Sequence, residues 1–253
     1  MRRASTLSPF GNHWRHLVTA GIVVGSLALV LSYPPFGQDP KYHAFADRRV
    51  FFGIPNFLDV ASNLAFLVVG IAGLTHCLRN RRGSTGNGWA ILFAGVALVS
   101  VGSTFYHLDP SNPTLVWDRL PMTVGFMGLF VALLGEYVSE RLGAILLVPA
   151  ILLGISSVVY WRGSDDLRFY AWVQLLPLLL IPVLMILYRA RYSHQWMLVV
   201  AVAWYALAKV AETKDAEIFV ASQDIVSGHT IKHLLSAMGC ATILLMLERR
   251  KPI

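Results

Sequence analysis

Charge is scarce in this sequence. Asp, Glu, Lys and Arg together make up 14% of its 253 residues, against about 25% in a typical soluble domain, which excludes an ordinary water-soluble fold. Cysteine is scarcer still. Cys77 and Cys240 both sit in or at the end of apolar segments and form no CxxC pair, which excludes a disulfide framework and a thiolate metal site. No stripe of basic and aromatic residues runs through the chain, so the net charge of +7 does not mark a nucleic-acid partner. Basic loops on one face of a membrane account for it better. Internal repeats and low-complexity tracts are also missing. What the chain has instead is apolar surface: 56% hydrophobic residues and a mean hydropathy of +0.59.

A membrane-spanning helix needs about 20 mostly apolar residues. Eight such runs occur, at roughly 16–33, 58–78, 88–107, 117–136, 142–161, 169–188, 196–212 and 229–247. The expected fold is therefore all-α, a multi-pass bundle of transmembrane helices. Arg2, Arg3 and Arg15 precede the first run as they would in a signal peptide, but Ser32-Tyr-Pro-Pro follows it where a small-residue cleavage site would be needed. The first run is read as a helix or uncleaved anchor.

Basic residues set the orientation. With the N-terminus inside, Arg2, Arg3, Arg15, Arg79, Arg81, Arg82, Arg141, Arg189, Arg191, Arg249, Arg250 and Lys251 are cytoplasmic. Only Lys41, Arg48, Arg49, Arg162, Arg168 and Lys214 face the other way. Both termini are then cytoplasmic, in a bacterial inner membrane or in the ER or Golgi of a eukaryote. The longest outer segment, about residues 32–57, reads either as an interfacial connector or as a lid.

The stretch Gly102–Met122 departs from ordinary membrane sequence. Ser103 and His107 are four apart and share one helix face; Asp118 follows at the start of the next apolar run. Far downstream His229 and His233, again four apart, open the last run. All of these fall at the outer, non-cytoplasmic side, although the orientation was set without them. Three imidazoles from two helices at one depth suit zinc, whose catalytic sites take three protein ligands and keep one position open; the rival reading is a structural polar cluster. An ionised carboxylate in a bilayer costs about 2.5–3.5 kcal/mol, so Asp118 either serves as a general base that takes a proton from water or favours the positive end of its helix. Ser103 either donates to an oxyanion or bonds its own i−4 carbonyl. Tyr106 either assists or anchors at the interface. Asp59 and Asn63, with Asn56 a turn before, form a second polar face that serves interhelical hydrogen bonds or supports the metal ligands. The same interhelical use is expected of Lys209 and Glu212. Arg119 and Lys232 are expected to reach outward to the headgroups, and His13, His16, His43, His76 and His194 need no special role.

These residues resemble the alkaline ceramidases and their wider superfamily of seven-helix membrane hydrolases, which also includes adiponectin- and progestin-type receptors. The shared pattern is Ser-x-x-x-His ending one helix (Ser103, His107), Asp opening the next in Asp-Arg-Leu-Pro-Met (Asp118), and His-x-x-x-His in the last (His229, His233). The run Asn56-Phe-Leu-Asp-Val-Ala-Ser-Asn63 also looks like the opening of the first ceramidase helix. The resemblance spans about residues 50–250. It implies a seven-helix domain over 50–253, with 1–49 an added N-terminal helix and outer connector. It further implies that the histidines bind zinc, that Asp118 activates water and that Ser103 stabilises the oxyanion. Ceramidases also carry an acidic calcium-binding stretch. Here the corresponding positions offer only Asp47, beside Arg48 and Arg49, and Asn56 in place of a glutamate, too few carboxylates for calcium's six to eight oxygens.

The expected activity is zinc-dependent hydrolysis of the amide of a ceramide-like lipid drawn from the membrane, releasing a sphingoid base and a fatty acid, with no nucleic acid involved. Two alternatives stay open. One is a zinc hydrolase of another acyl lipid, ester or amide; the other is a non-catalytic receptor or sensor that zinc stabilises. Haem ligation fits poorly, because two histidines at i and i+4 face only one opposite.

Overall fold

A computed structural model describes residues 13–80 and 83–253; Arg2, Arg3, Arg81 and Arg82 of the orientation argument lie outside these. The regular structure among the described residues is helical, without strands. The helices are α1 (His13–Ser32), α2 (Phe57–Ser62), α3 (Leu64–Arg79), α4 (Gly83–Leu108), α5 (Asn112–Leu133), α6 (Glu140–Ser164), α7 (Arg168–Leu187), α8 (Met197–Thr213), α9 (Asp215–Ala221) and α10 (Gly228–Arg249).

Seven segments are long and apolar enough to cross a membrane, with α2 and α3 counted as one and α8 excluded. The eighth expected run, residues 196–212, is also a helix, α8. It has 17 residues and carries Lys209 and Glu212 in its last turns, which pair at 2.6 Å. Helix α1 lies at the periphery against α7, with Thr19 its one buried residue. Trp172 Nε1 donates to Ser26 Oγ across that contact at 3.0 Å.

Two ends are built differently. At one end, Ser111 caps α5 in a reciprocal pair with Thr114, with Pro in the first turn, so α5 starts abruptly a few residues after α4 stops. Ser227 caps α10 by accepting from the Thr230 N–H. The backbones of α4 and α5 nearly touch at this end. A Cβ on Gly102 would fall 2.0 Å from the Trp117 carbonyl oxygen, so only glycine admits the approach, as small residues do at close membrane-helix crossings. Gly228 likewise sets α10 against the end of α8, where a Cβ would lie 2.2 Å from the Ala211 carbonyl oxygen. At the opposite end α5 runs into a π-helical turn, Leu134–Val138. Its buried Glu136 accepts from Trp89, Gln195 and Arg250. Between the two ends the core is a packed column of Phe93, Leu133, Leu180, Leu184, Leu198 and Met246, among others.

Candidate metal centre

The start of α2 links the ends of α4 and α10: Asn56 donates to the His107 carbonyl, and Asp59 accepts from Ser227 and Thr230. His107, His229 and His233 are 0%, 4% and 2% exposed, and one nitrogen from each lies within 4.8 Å of the others. Their ring centroids form a nearly equilateral triangle of 4.8, 4.8 and 5.0 Å. Both ring nitrogens of His107 are buried and have no protein hydrogen-bond partner. Burying polar atoms unpaired is costly, and a cation among three imidazoles resolves that cost. The cluster could hold a metal ion.

Ser62, which the sequence reading left aside, supports the cluster. Its hydroxyl donates to the Asp59 carbonyl at 2.9 Å and sits 2.8 Å from His233 Nδ1. With the hydroxyl hydrogen committed to Asp59, His233 Nδ1 carries a hydrogen and donates it to Ser62. The lone pair is then on Nε2, as ligation requires. The signal available in sequence was weak, a serine three residues after Asp59. Asn63 Nδ2 also donates to the Asp59 carbonyl, at 3.0 Å. The Asp59 carboxylate accepts from Ser227 and Thr230, at 3.2 and 2.6 Å, and so ties α2 to the first turn of α10 on which His229 sits. The backbone N–H of His229 is fixed from another side, by Asp215 Oδ1 at 2.7 Å.

The outer connector covers the cluster. Phe45, 5% exposed, packs its ring 4.7 Å from His107 and 4.6 Å from His229. Tyr106 packs 5.0 Å from His107 and bonds His43 Nδ1 at 2.9 Å, while His43 Nε2 pairs with Asn112 Oδ1 at 3.0 Å. His43, to which sequence gave no role, thus fastens the connector to α4 and α5. Of the two readings of this segment, the lid is the one the contacts describe.

Asp47 and Asn56, the positions where calcium would have to bind, are otherwise engaged. Arg49 donates to both Asp47 carboxylate oxygens, at 2.8 and 2.6 Å, and to the Ile225 carbonyl at 2.9 Å. Asn56 takes a left-handed backbone conformation and donates its amide to the His107 carbonyl at 2.8 Å. Burial raises the Asp47 carboxyl, but the Arg49 guanidinium outweighs it and holds the group below the usual carboxylate range.

Asp118 and Ser103 are 7% and 2% exposed. With His233 and Lys232 they form the polar end of a cavity of about 150 Å³. The remainder is apolar and passes between helices among Leu129, Ile181, Ala201 and Ile243. A larger cavity, about 260 Å³, lies at the opposite end around Glu136, Arg191 and Arg250, away from the histidines.

Two expectations about cations are corrected. Arg119 does not reach outward: at 5% exposure it lies 4.0 Å over Trp161 and 4.6 Å over Tyr170 and donates to Gln38. The aromatic faces and the amide supply inside what headgroups would supply outside. Lys232 does not snorkel either. Its ammonium pairs with Glu212 Oε1 at 2.6 Å and stands 3.5 Å from His229 Nε2. Glu212 also accepts from Lys209 and Tyr42, so the expected interhelical role of Glu212 is present, with Lys232 as the partner on α10.

The fold and site define a multi-pass helical membrane protein with a buried three-histidine cluster at the head of an apolar cavity. Comparison with known families narrows this further. The ceramidase family model matches residues 50–250, and the chain belongs to the ceramidase family. A search of curated proteins found no match.

Proposed function

We propose that the protein is a zinc-dependent hydrolase of ceramide-like lipids, cleaving the amide to a sphingoid base and a fatty acid. The observation that carries this reading is the buried cluster of His107, whose ring nitrogens have no protein partner, with His229 and His233, in a chain of the ceramidase family. Three imidazoles and an open position match catalytic zinc. Bound there, zinc would supply Lewis acidity, polarising a carbonyl and making water a stronger acid.

The residues of the chain supply the rest. The apolar cavity takes hydrocarbon, so the scissile group is held at its polar end beside Ser103 and Asp118. Asp118 takes a proton from the attacking water, whose oxygen bonds the amide carbon while the C=O π pair moves to the carbonyl oxygen. Ser103 donates a hydrogen bond to that oxygen as its charge develops. Collapse breaks the C–N bond, and Asp118 returns the proton to the departing nitrogen. The Phe45 lid keeps bulk water from the cluster, and the site faces the non-cytoplasmic side, with both termini cytoplasmic.

Metal analysis of purified protein followed by incubation with a ceramide panel tests the proposal. About one zinc per chain and fatty-acid release are expected. Release from ester lipids but not from ceramides would move the assignment to another acyl lipid. A loaded protein without turnover on any lipid would overturn it.

A further inference from the structure

Among the described residues, Lys232 is the one Lys or Arg on the wall of the apolar cavity, beside Ser103, Asp118 and His233. Its side chain is 15% exposed, and Asp118 lines the same cavity. An ammonium has three donors. One goes to Glu212 at 2.6 Å, and the approach to His229 Nε2, at 3.5 Å, is too long to use another fully. Glu212 is itself fixed by Lys209 and by the Tyr42 hydroxyl, and Lys232, whose ammonium also lies 6.0 Å from the Tyr42 ring, keeps donor capacity on the cavity wall. A structural ion pair has no need to stand at the polar end of a substrate cavity.

We propose that Lys232 is a catalytic residue that binds the carbonyl oxygen of the acyl group as it becomes negative, and then the carboxylate of the released fatty acid. The proposal rests on the hydrolase reading for its kinetic part. Lys232 keeps its proton throughout; the electron pair that reaches the carbonyl oxygen comes from the C=O bond, and the proton on the departing nitrogen comes from water through Asp118. The ammonium stabilises charge and Ser103 contributes the second donor. Glu212 positions Lys232 without touching the substrate.

The test uses the full-length protein in detergent, with the variants Lys232→Met, Lys232→Arg and the double variant Lys232→Met/Glu212→Gln. The double variant removes both charges and so avoids leaving Glu212 without its interhelical partner. In both Met variants kcat is expected to fall about 100- to 1,000-fold, as when one oxyanion donor is removed, with metal content unchanged. Lys232→Arg is expected to recover part of the rate. A second readout does not depend on turnover. Palmitate isotopically labelled at its carboxyl carbon is bound to the metal-stripped protein and followed by NMR. Binding and the carboxyl shift are expected in the parent and to be lost in the double variant. If the double variant folds, keeps its metal and matches the parent in both kcat and palmitate binding, Lys232 is a structural ion-pair member and the proposal is overturned. If the parent hydrolyses no lipid but binds palmitate through Lys232, the hydrolase reading fails while the carboxylate site stands.

Discussion

Ser62 Oγ stands 2.8 Å from His233 Nδ1 and spends its own hydrogen on the Asp59 carbonyl. A residue of the first polar helix therefore decides which nitrogen of a histidine on the last helix is free. Losing a partner of this kind costs about 10- to 100-fold in metal affinity. Ser62→Ala is expected to weaken metal binding by that amount in a chelator competition assay while leaving the helical circular dichroism signal unchanged.

Removing a ligand and removing the base are expected to separate. His107→Ala should lose both bound metal and fatty-acid release. Asp118→Asn, nearly isosteric, should keep the metal and lose at least about 100-fold in kcat, the low end of what general-base catalysis contributes. Metal content and turnover measured on the same samples check this, and full activity in Asp118→Asn would remove the aspartate from the mechanism.

The α4–α5 crossing gives a third expectation. A methyl group at Gly102 meets the Trp117 carbonyl at 2.0 Å, so Gly102→Ala must push the helices apart next to Ser103 and Asp118. Overpacking of this kind costs about 1–3 kcal/mol. A lower thermal midpoint is expected, with a fall in kcat larger than for an equally destabilising change in α1, such as Thr19→Val.

Arg49 supplies from within the chain the positive charge that faces Asp47. Activity is therefore expected to survive a calcium-selective chelator and to fall with a zinc-selective one. The Asp47–Arg49 pair also has a pH signature. The folded-state pKa of Asp47 lies below its ordinary value, so its stabilisation is fully present above the unfolded pKa of about 3.9 and is lost as pH falls through the folded value. The stability difference between the parent and Asp47→Asn should be constant near neutrality and shrink in acid, as thermal unfolding across pH would show.

Much of this architecture is set by composition and spacing alone. Long apolar runs dictate helices that satisfy their own backbone in lipid. The i, i+4 pairs Ser103/His107 and His229/His233 fix which side chains share a face whatever the tertiary arrangement. The same reasoning finds α8, a 17-residue helix whose last turns carry Lys209 and Glu212. It misplaces Arg119 and Lys232, because a charged residue near a helix end has two low-energy outcomes, the headgroup region or an internal partner. Only the packed fold shows that Trp161, Tyr170 and Gln38 await one and Glu212 the other. Ser62, His43 and Phe45 were invisible for a related reason: each acts on a residue more than 60 positions away, and no local pattern records such a distance. The sequence determined the helices and the i, i+4 pairs from which the cluster is built, since both depend on near neighbours along the chain. The tertiary structure decided which side chains orient, cover and electrostatically bias that cluster, since those contacts exist only once distant helices close on one another.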